Sequence, residues 1–487
     1  MSSATPNNHS QNSSRAEKIF RNFSFLTIGK ILGDGFTFLL FIILSREFGQ
    51  EGIGEYSFAM AVTGFFAALS EYGLYHFSIK EMSRHKGPLG DYYGNIFLIR
   101  LVLSLVVFLL LLGLLSVCAF KPDTKIIITL IGAYQIIYMI LDGYCAVFVA
   151  AEKMRLAGIL EFSLRMTIAA AGIIIYYLDG SLIQITISFP VVTLLLTFFA
   201  HRLVIREHGP LQFRLTRTIF LKVLGLSSTY ATANILFILS ARIDIILLGF
   251  YLGAAAAGIY NVAYRMIFIL MIITHFASVS IFPLASRLFT QSKEDFTKFY
   301  HDTLNILILI SIPASFGLWL VAPQIITIFF GTEFTQSISI LRILAPLFFL
   351  TLMENILATF LMSCEKEKDR TTGYWITAWS NISGNIIMIP LYGCTGAAIA
   401  TLLSKIMQTI YYFIKLYKFI GSPHIGSRVM ISITVCVAMG LPHFFLPQSP
   451  PLVTLPLSLM MCILTLLLFK DVRENELNSL LNILKGI

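Results

Sequence analysis

Fourteen stretches of this chain run for about twenty residues with almost no charge. In hydrocarbon a backbone has no water to bond to, so such stretches are confined to α-helices whose hydrogen bonds close internally. Only 13% of the 487 residues are charged, about half the share of a soluble chain. The reading is an all-α polytopic membrane protein. Its segments are a cytoplasmic N-terminal tail (1–22), spans 1–6 (23–201), a basic linker (202–222), spans 7–12 (223–418), spans 13–14 (427–469) and an amphipathic tail (470–487). The polar start, residues 1–14, reads as unstructured and is followed by a short amphipathic helix. Six scattered cysteines lack metal or disulfide spacing. No cofactor or metal is expected.

With the N-terminus inside, the basic residues of the connections fall almost wholly on one side; only Arg46, Lys121 and Lys125 fall on the other. This is the positive-inside pattern of a multi-pass protein of the cytoplasmic membrane, both termini inside. The net charge of +9 belongs to those loops, which excludes a nucleic-acid partner as its explanation.

The chain repeats itself. Gly49, Gly54, Tyr56 and Ala59 follow span 1, and Gly253, Gly258, Tyr260 and Ala263 follow span 7, in the same Gly-x4-Gly-x-Tyr-x2-Ala spacing. Ala150–Lys153 ("AAEK") and Ser363–Lys366 ("SCEK") match after spans 4 and 10. Two six-helix lobes of the same orientation follow, with two helices appended, and such repeats hold their transport path between them.

Three segments carry a family resemblance: "LSREFGQEGIGEYSFAMAV" (Leu44–Val62), "RIDIILLGFYLGAAAAGIYNVAYR" (Arg242–Arg265) and "IPLYGCTGAAIATLLSK" (Ile389–Lys405). Together with the span count they resemble the Wzx-type (O-antigen) oligosaccharide flippases of the MOP exporter superfamily, which is MATE-like in fold. The resemblance implies movement of a prenyl-pyrophosphate-linked oligosaccharide from the inner to the outer leaflet for surface polysaccharide biosynthesis. It also implies polysaccharide polymerase and chain-length proteins as partners of a monomeric flippase. A MATE-type drug/cation antiporter and a MurJ-type lipid II flippase are the transport alternatives. A membrane polymerase or glycosyltransferase is disfavoured, because the outer loops are short and no catalytic motif is present.

Charges inside spans are expensive and generally face a polar path. Arg242, Asp244, Arg265, Lys30, Asp34, Arg165, Arg342 and Lys405 are the candidate substrate-path residues. Asp34, Asp142 and Glu354 are candidates for ion coupling. An arginine fork matches phosphate, and a carboxylate can hold a proton or accept a sugar hydroxyl. The spacing predicts i,i+4 pairs Lys30–Asp34 and Glu161–Arg165, with Asp244 bridging Arg242 and Arg265. Arg100 reads as snorkelling at a helix end. Pro190, Pro283, Pro313, Pro346, Pro390, Pro442 and Pro456 predict kinks. Residues 321–335 read as an interfacial link, and Tyr264 as a sugar-stacking ring.

Overall fold

The computed structural model describes residues 7–84, 89–210, 217–423, 425–446 and 450–469. The tail read as amphipathic over 470–487 lies outside them, as do the side chains of the N-terminal segment before Phe25. The described chain is helical throughout: α1 (Asn7–Glu71), α2 (Leu74–Arg84), α3 (Leu89–Val117), α4 (Pro122–Ala150), α5 (Met154–Tyr177), α6 (Leu182–His208) and α7 (Arg217–Leu252). Then come α8 (Ala254–Gln291), α9 (Lys293–Phe330), a 3₁₀ turn (Thr332–Phe334), α10 (Thr335–Leu344), α11 (Leu347–Ser363), α12 (Glu367–Ile420), α13 (Gly426–Phe445) and α14 (Pro451–Leu468). Helix α1 begins inside the polar stretch read as unstructured. Among the described residues ten helices are long and apolar enough to cross a membrane, or eleven with the bent pair α10–α11. Two of the ten contain a non-helical glycine, Gly49 in α1 and Gly393 in α12. These sit at the turns read between spans 1 and 2 and between spans 11 and 12.

The chain forms two compact units, Met1–Arg242 and Ile243–Ile487, divided inside α7. In the first, α1 packs along α5 and α4, and α4 packs on α6. The crossing of α1 and α5 is close because its contact face is glycine. A Cβ on Gly29 would lie 2.8 Å from the carbonyl oxygen of Gly158, and one on Gly33 would lie 2.8 Å from Cδ of Arg165. Gly29 and Gly33 are four residues apart, the small-residue spacing that lets membrane helices approach backbone to backbone. In the second unit, Phe296, Tyr300, Ile356, Phe360 and Tyr412 centre a core built by α8, α9, α11 and α12. The appended α13 joins α9 through Leu309, Leu320, Ile431, Val435 and Met439.

Breaks in the helices follow glycines and the left-handed acids Glu152, Asp179 and Glu365 more than the prolines read as kinks. Helices continue through Pro190, Pro283, Pro313, Pro390, Pro442 and Pro456. Only Pro346 stands at a break, where α10 and α11 bend by 40°. A membrane helix can re-satisfy the backbone groups a proline frees, so the chain stays helical through these six. Residues 321–330, read as part of an interfacial link, continue α9.

The sequence repeat is also a conformational repeat. Gly49 and Gly253 both take positive φ with extended ψ, at 60°, −162° and 89°, −179°. The second matched pair of turns agrees as well. Glu152 and Glu365 have φ of 60° and 58°, and the amides of Lys153 and Lys366 bond back to Phe148 and Leu361 at 2.8 and 2.9 Å. A left-handed conformation costs an L-residue about 1–2 kcal/mol. Glu365→Gly, at an exposed side chain, is therefore expected to stabilise the protein by about 1 kcal/mol. A higher thermal-aggregation midpoint of the detergent-solubilised variant checks this, and a lower one refutes it.

Candidate functional site

Close approach at Gly29 and Gly33 brings Arg165 on α5 to Asp34 on α1. Arg165 Nη1 lies 3.2 Å from Asp34 Oδ1, and Nη2 lies 3.3 Å from Glu161 Oε2. Nη1 also donates to the Lys30 carbonyl at 3.2 Å. Tyr138 on α4 donates to the other Glu161 oxygen at 3.0 Å. One guanidinium thus serves two carboxylates of very different exposure: the Glu161 side chain is 3% exposed and that of Asp34 is 46%. The Glu161–Arg165 pair is as the spacing predicts. The predicted Lys30–Asp34 pair is replaced, because a fork reaching across the glycine face meets Asp34 in an orientation that a same-helix lysine does not match.

Arg100 does not snorkel. It is buried, donates to the Met139 carbonyl at 2.6 Å, and lies 3.5 Å from Asp142. Gly143, against which Arg100 packs, leaves room for it on α4. Asp142, a coupling candidate, is thereby the partner of a buried cation.

A further acid escaped the sequence reading. Glu71 ends α1, is buried, and accepts from the amides of Gly73 (2.9 Å) and Tyr75 (2.6 Å) and from Asn234 Nδ2 of α7 (2.9 Å). Its position inside a span was legible. Its capping role was not, because nothing in the sequence marks a break at Tyr72–Gly73.

In the second unit, Lys405 Nζ lies 2.5 Å from Glu354 Oε2 and donates to Gln408 at 3.3 Å. Asp244 is 1% exposed. Its carboxylate accepts from the Tyr260 hydroxyl at 2.5 Å and from the Ile245 amide at 2.8 Å. Tyr260 belongs to the repeated turn motif, and its hydroxyl lies 3.3 Å from that of Thr401. Thr401 accepts from Asn381 at 3.2 Å, and Asn381 Oδ1 accepts from Asn385 at 3.1 Å. This buried cluster joins α7, α8 and both halves of α12. Sequence reading found Asp244 and missed Asn381, Asn385 and Thr401, whose signal was polar residues at helical spacing in an apolar run. Tyr264, read as a sugar-stacking ring, stacks on Tyr260 at 6.0 Å.

The remaining cations differ among themselves. Arg342 sits over the ring of Trp319 at 4.7 Å. Lys30, Arg242 and Arg265 are half-buried, and the described residues offer Lys30 and Arg242 no ion pair. No group of three or more His, Cys, Asp or Glu that could hold a metal occurs among the described residues.

Comparison with known proteins places the chain in a family. A model of the polysaccharide biosynthesis protein family matches residues 19–289, and the MatE model matches residues 230–391. The chain is 24% identical over 415 residues to the probable low-salt glycan biosynthesis flippase Agl15 of Haloferax volcanii, covering 81% of this chain and 83% of that protein. It is 25% identical over 195 residues to the lipopolysaccharide biosynthesis protein WzxC of Escherichia coli, 38% of each chain. Among solved structures, the lipid II flippase MurJ in an inward closed conformation shares the fold with a TM-score of 0.76. That match covers 94% of this chain and 99% of the other at 16% identity. A repeated, charge-bearing helical membrane fold and a family match over more than half its length lead to one statement: the chain belongs to the polysaccharide biosynthesis protein family, within the MOP superfamily of multi-pass membrane transporters.

Proposed function

We propose that this chain is a flippase that carries a prenyl-pyrophosphate-linked oligosaccharide from the inner to the outer leaflet by alternating access, for a cell-surface glycan. The flippase name of Agl15 supports the reaction class, and the lipopolysaccharide biosynthesis name of WzxC supports the pathway class. One observation carries the cargo assignment. Arg165 holds two carboxylates of which Asp34 is half exposed, so a pyrophosphate oxygen can take the place of Asp34 on the Nη1 end of the fork. Exchange of one anion for another leaves the buried Glu161–Arg165 pair intact and avoids stranding a charge. Lys30, Arg242 and Arg265 supply further positive charge along the path, while Asp34 is the acid released as cargo binds. Asp142 and Glu354, each already beside a cation, act as counter-charges more than as free proton carriers.

The test is transport in proteoliposomes with a fluorescent prenyl-pyrophosphate oligosaccharide, read by accessibility of the sugar to an added lectin. Wild-type protein is expected to expose the sugar. Arg242→Ala with Arg265→Ala is expected to slow exposure by about tenfold or more, since a charge-assisted hydrogen bond contributes roughly 1.5–3 kcal/mol. Unchanged rates would remove these cations from the path. The MatE match over 230–391 favours the cationic-drug reading as second choice, and efflux of a cationic dye without sugar exposure would establish it instead.

A further inference from the structure

Arg342 differs from the other paired cations of the spans. Arg165, Arg100 and Lys405 each have a carboxylate partner. Arg342 has none among the described residues: its Nε donates to the Trp319 carbonyl at 3.4 Å and its guanidinium lies over the Trp319 ring. Among the described residues no acceptor takes its two Nη groups. An arginine within a span costs roughly 2.5–3.5 kcal/mol without compensation, and a stacked, half-open fork is the arrangement that receives a phosphate.

Trp319, the ring under that cation, also lines an apolar slot of about 320 Å³. Ile312, Phe316 and Trp319 of α9 form one wall, Pro346 and Phe349 a second, and Cys436 of α13 a third. The slot exists because the chain breaks at Pro346. The 40° bend between α10 and α11 parts the helices there, and the freed amide of Phe349 is taken up by Ser315 Oγ of α9 at 3.1 Å. Phe316 stacks on Trp319 with their rings 9° from parallel, which fixes the ring that the guanidinium and the slot share. Trp319 is 40% exposed. An apolar slot that shares a tryptophan with an open cation fits an amphipathic anion.

We infer that this slot holds a resident anionic membrane phospholipid, its phosphate on Arg342 and part of one acyl chain between α9, α11 and α13. A bilayer phospholipid is favoured over cargo by the wall that α13 supplies. That helix lies outside the six-span repeat, so the slot is not a feature that the repeated scaffold places twice along a shared path. The inference stands apart from the cargo assignment, which uses other cations.

Trp319 is its own reporter. The chain has three tryptophans, and Trp375→Phe with Trp379→Phe leaves Trp319 as the sole emitter. The double variant is placed in nanodiscs that contain phosphatidylcholine with a small fraction of dibrominated lipid, the bromines quenching on contact. Dibrominated phosphatidylglycerol is expected to quench at roughly tenfold lower fraction than dibrominated phosphatidylcholine. Adding Arg342→Gln is expected to bring the two lipids within twofold of each other. Unbrominated phosphatidylglycerol, added to the variant that keeps Arg342, is expected to relieve the quenching, which preserves the test if the glutamine variant does not fold. Equal quenching by both lipids overturns the site and leaves Arg342 a cation reaching for the interface. Relief by a long-chain prenyl phosphate but not by phosphatidylglycerol overturns the occupant.

Discussion

Arg165→Leu is expected to destabilise the protein by about 3–5 kcal/mol, because it leaves Glu161 buried and uncompensated in a low-dielectric setting. The expression level of folded protein and the thermal-aggregation midpoint should both fall. That alone would not separate a structural arginine from one that receives cargo. Adding Glu161→Gln removes the stranded charge, and Tyr138 can still donate to the amide oxygen, so the Arg165→Leu/Glu161→Gln pair is expected to regain most of the lost stability. Sugar exposure in proteoliposomes should stay at least tenfold below wild type, since the fork that accepts pyrophosphate is gone. Asp34→Asn, in contrast, should bind the pyrophosphate carrier more tightly, because the neutral amide competes less well for the guanidinium. A double variant that is both stable and active would show that Arg165 only holds α1 to α5.

The same site shows where sequence reasoning reaches and where it stops. Apolar runs, turn glycines and the Tyr56/Tyr260 repeat are local signals, and they carried the membrane class, the repeat and the intramembrane charges. The pairing of Glu161 with Arg165 is local too, being one helical turn. The partner of Asp34 was not legible, because it is set by the distance between two helices, and that distance depends on Gly29 and Gly33 lying against Gly158 and Arg165. The Gly-x3-Gly spacing was present in the sequence but went unread beside the more conspicuous charges. Asp244 shows the converse. Its charge and depth were legible, whereas the 2.5 Å bond its carboxylate accepts comes from Tyr260, a residue legible only as part of a turn motif. Arg100 was misplaced for a third reason: its depth was judged from one helix, whereas its burial is created by Gly143 on another.

Gly73 is a position where the smallest substitution should have a large effect outside the charged sites. Its φ is +71°, and a Cβ there would lie 2.6 Å from the Ser227 carbonyl oxygen and 2.7 Å from the Ala231 amide nitrogen. Both are backbone atoms of α7, so no side chain can rotate away. Gly73→Ala then carries two costs, about 1–2 kcal/mol for the left-handed backbone and about 1–3 kcal/mol for overpacking against a helix that must move. A loss of roughly 3 kcal/mol is expected, read as a lower thermal-aggregation midpoint and less folded protein. Gly35→Ala, on the same α1 with nothing within 4 Å of the added carbon, should leave the midpoint unchanged or raise it by the helix propensity of alanine, about 1 kcal/mol. Glu71→Ala tests the other half of the junction. It removes the acceptor of the Gly73 and Tyr75 amides and of Asn234, and each buried donor left without a partner costs about 1–3 kcal/mol. Glu71→Gln keeps one carbonyl acceptor and should recover part of that loss. If Gly73→Ala and Gly35→Ala behave alike, α7 does not press on the break at Tyr72–Gly73, and the junction between α1, α2 and α7 is looser than its geometry requires.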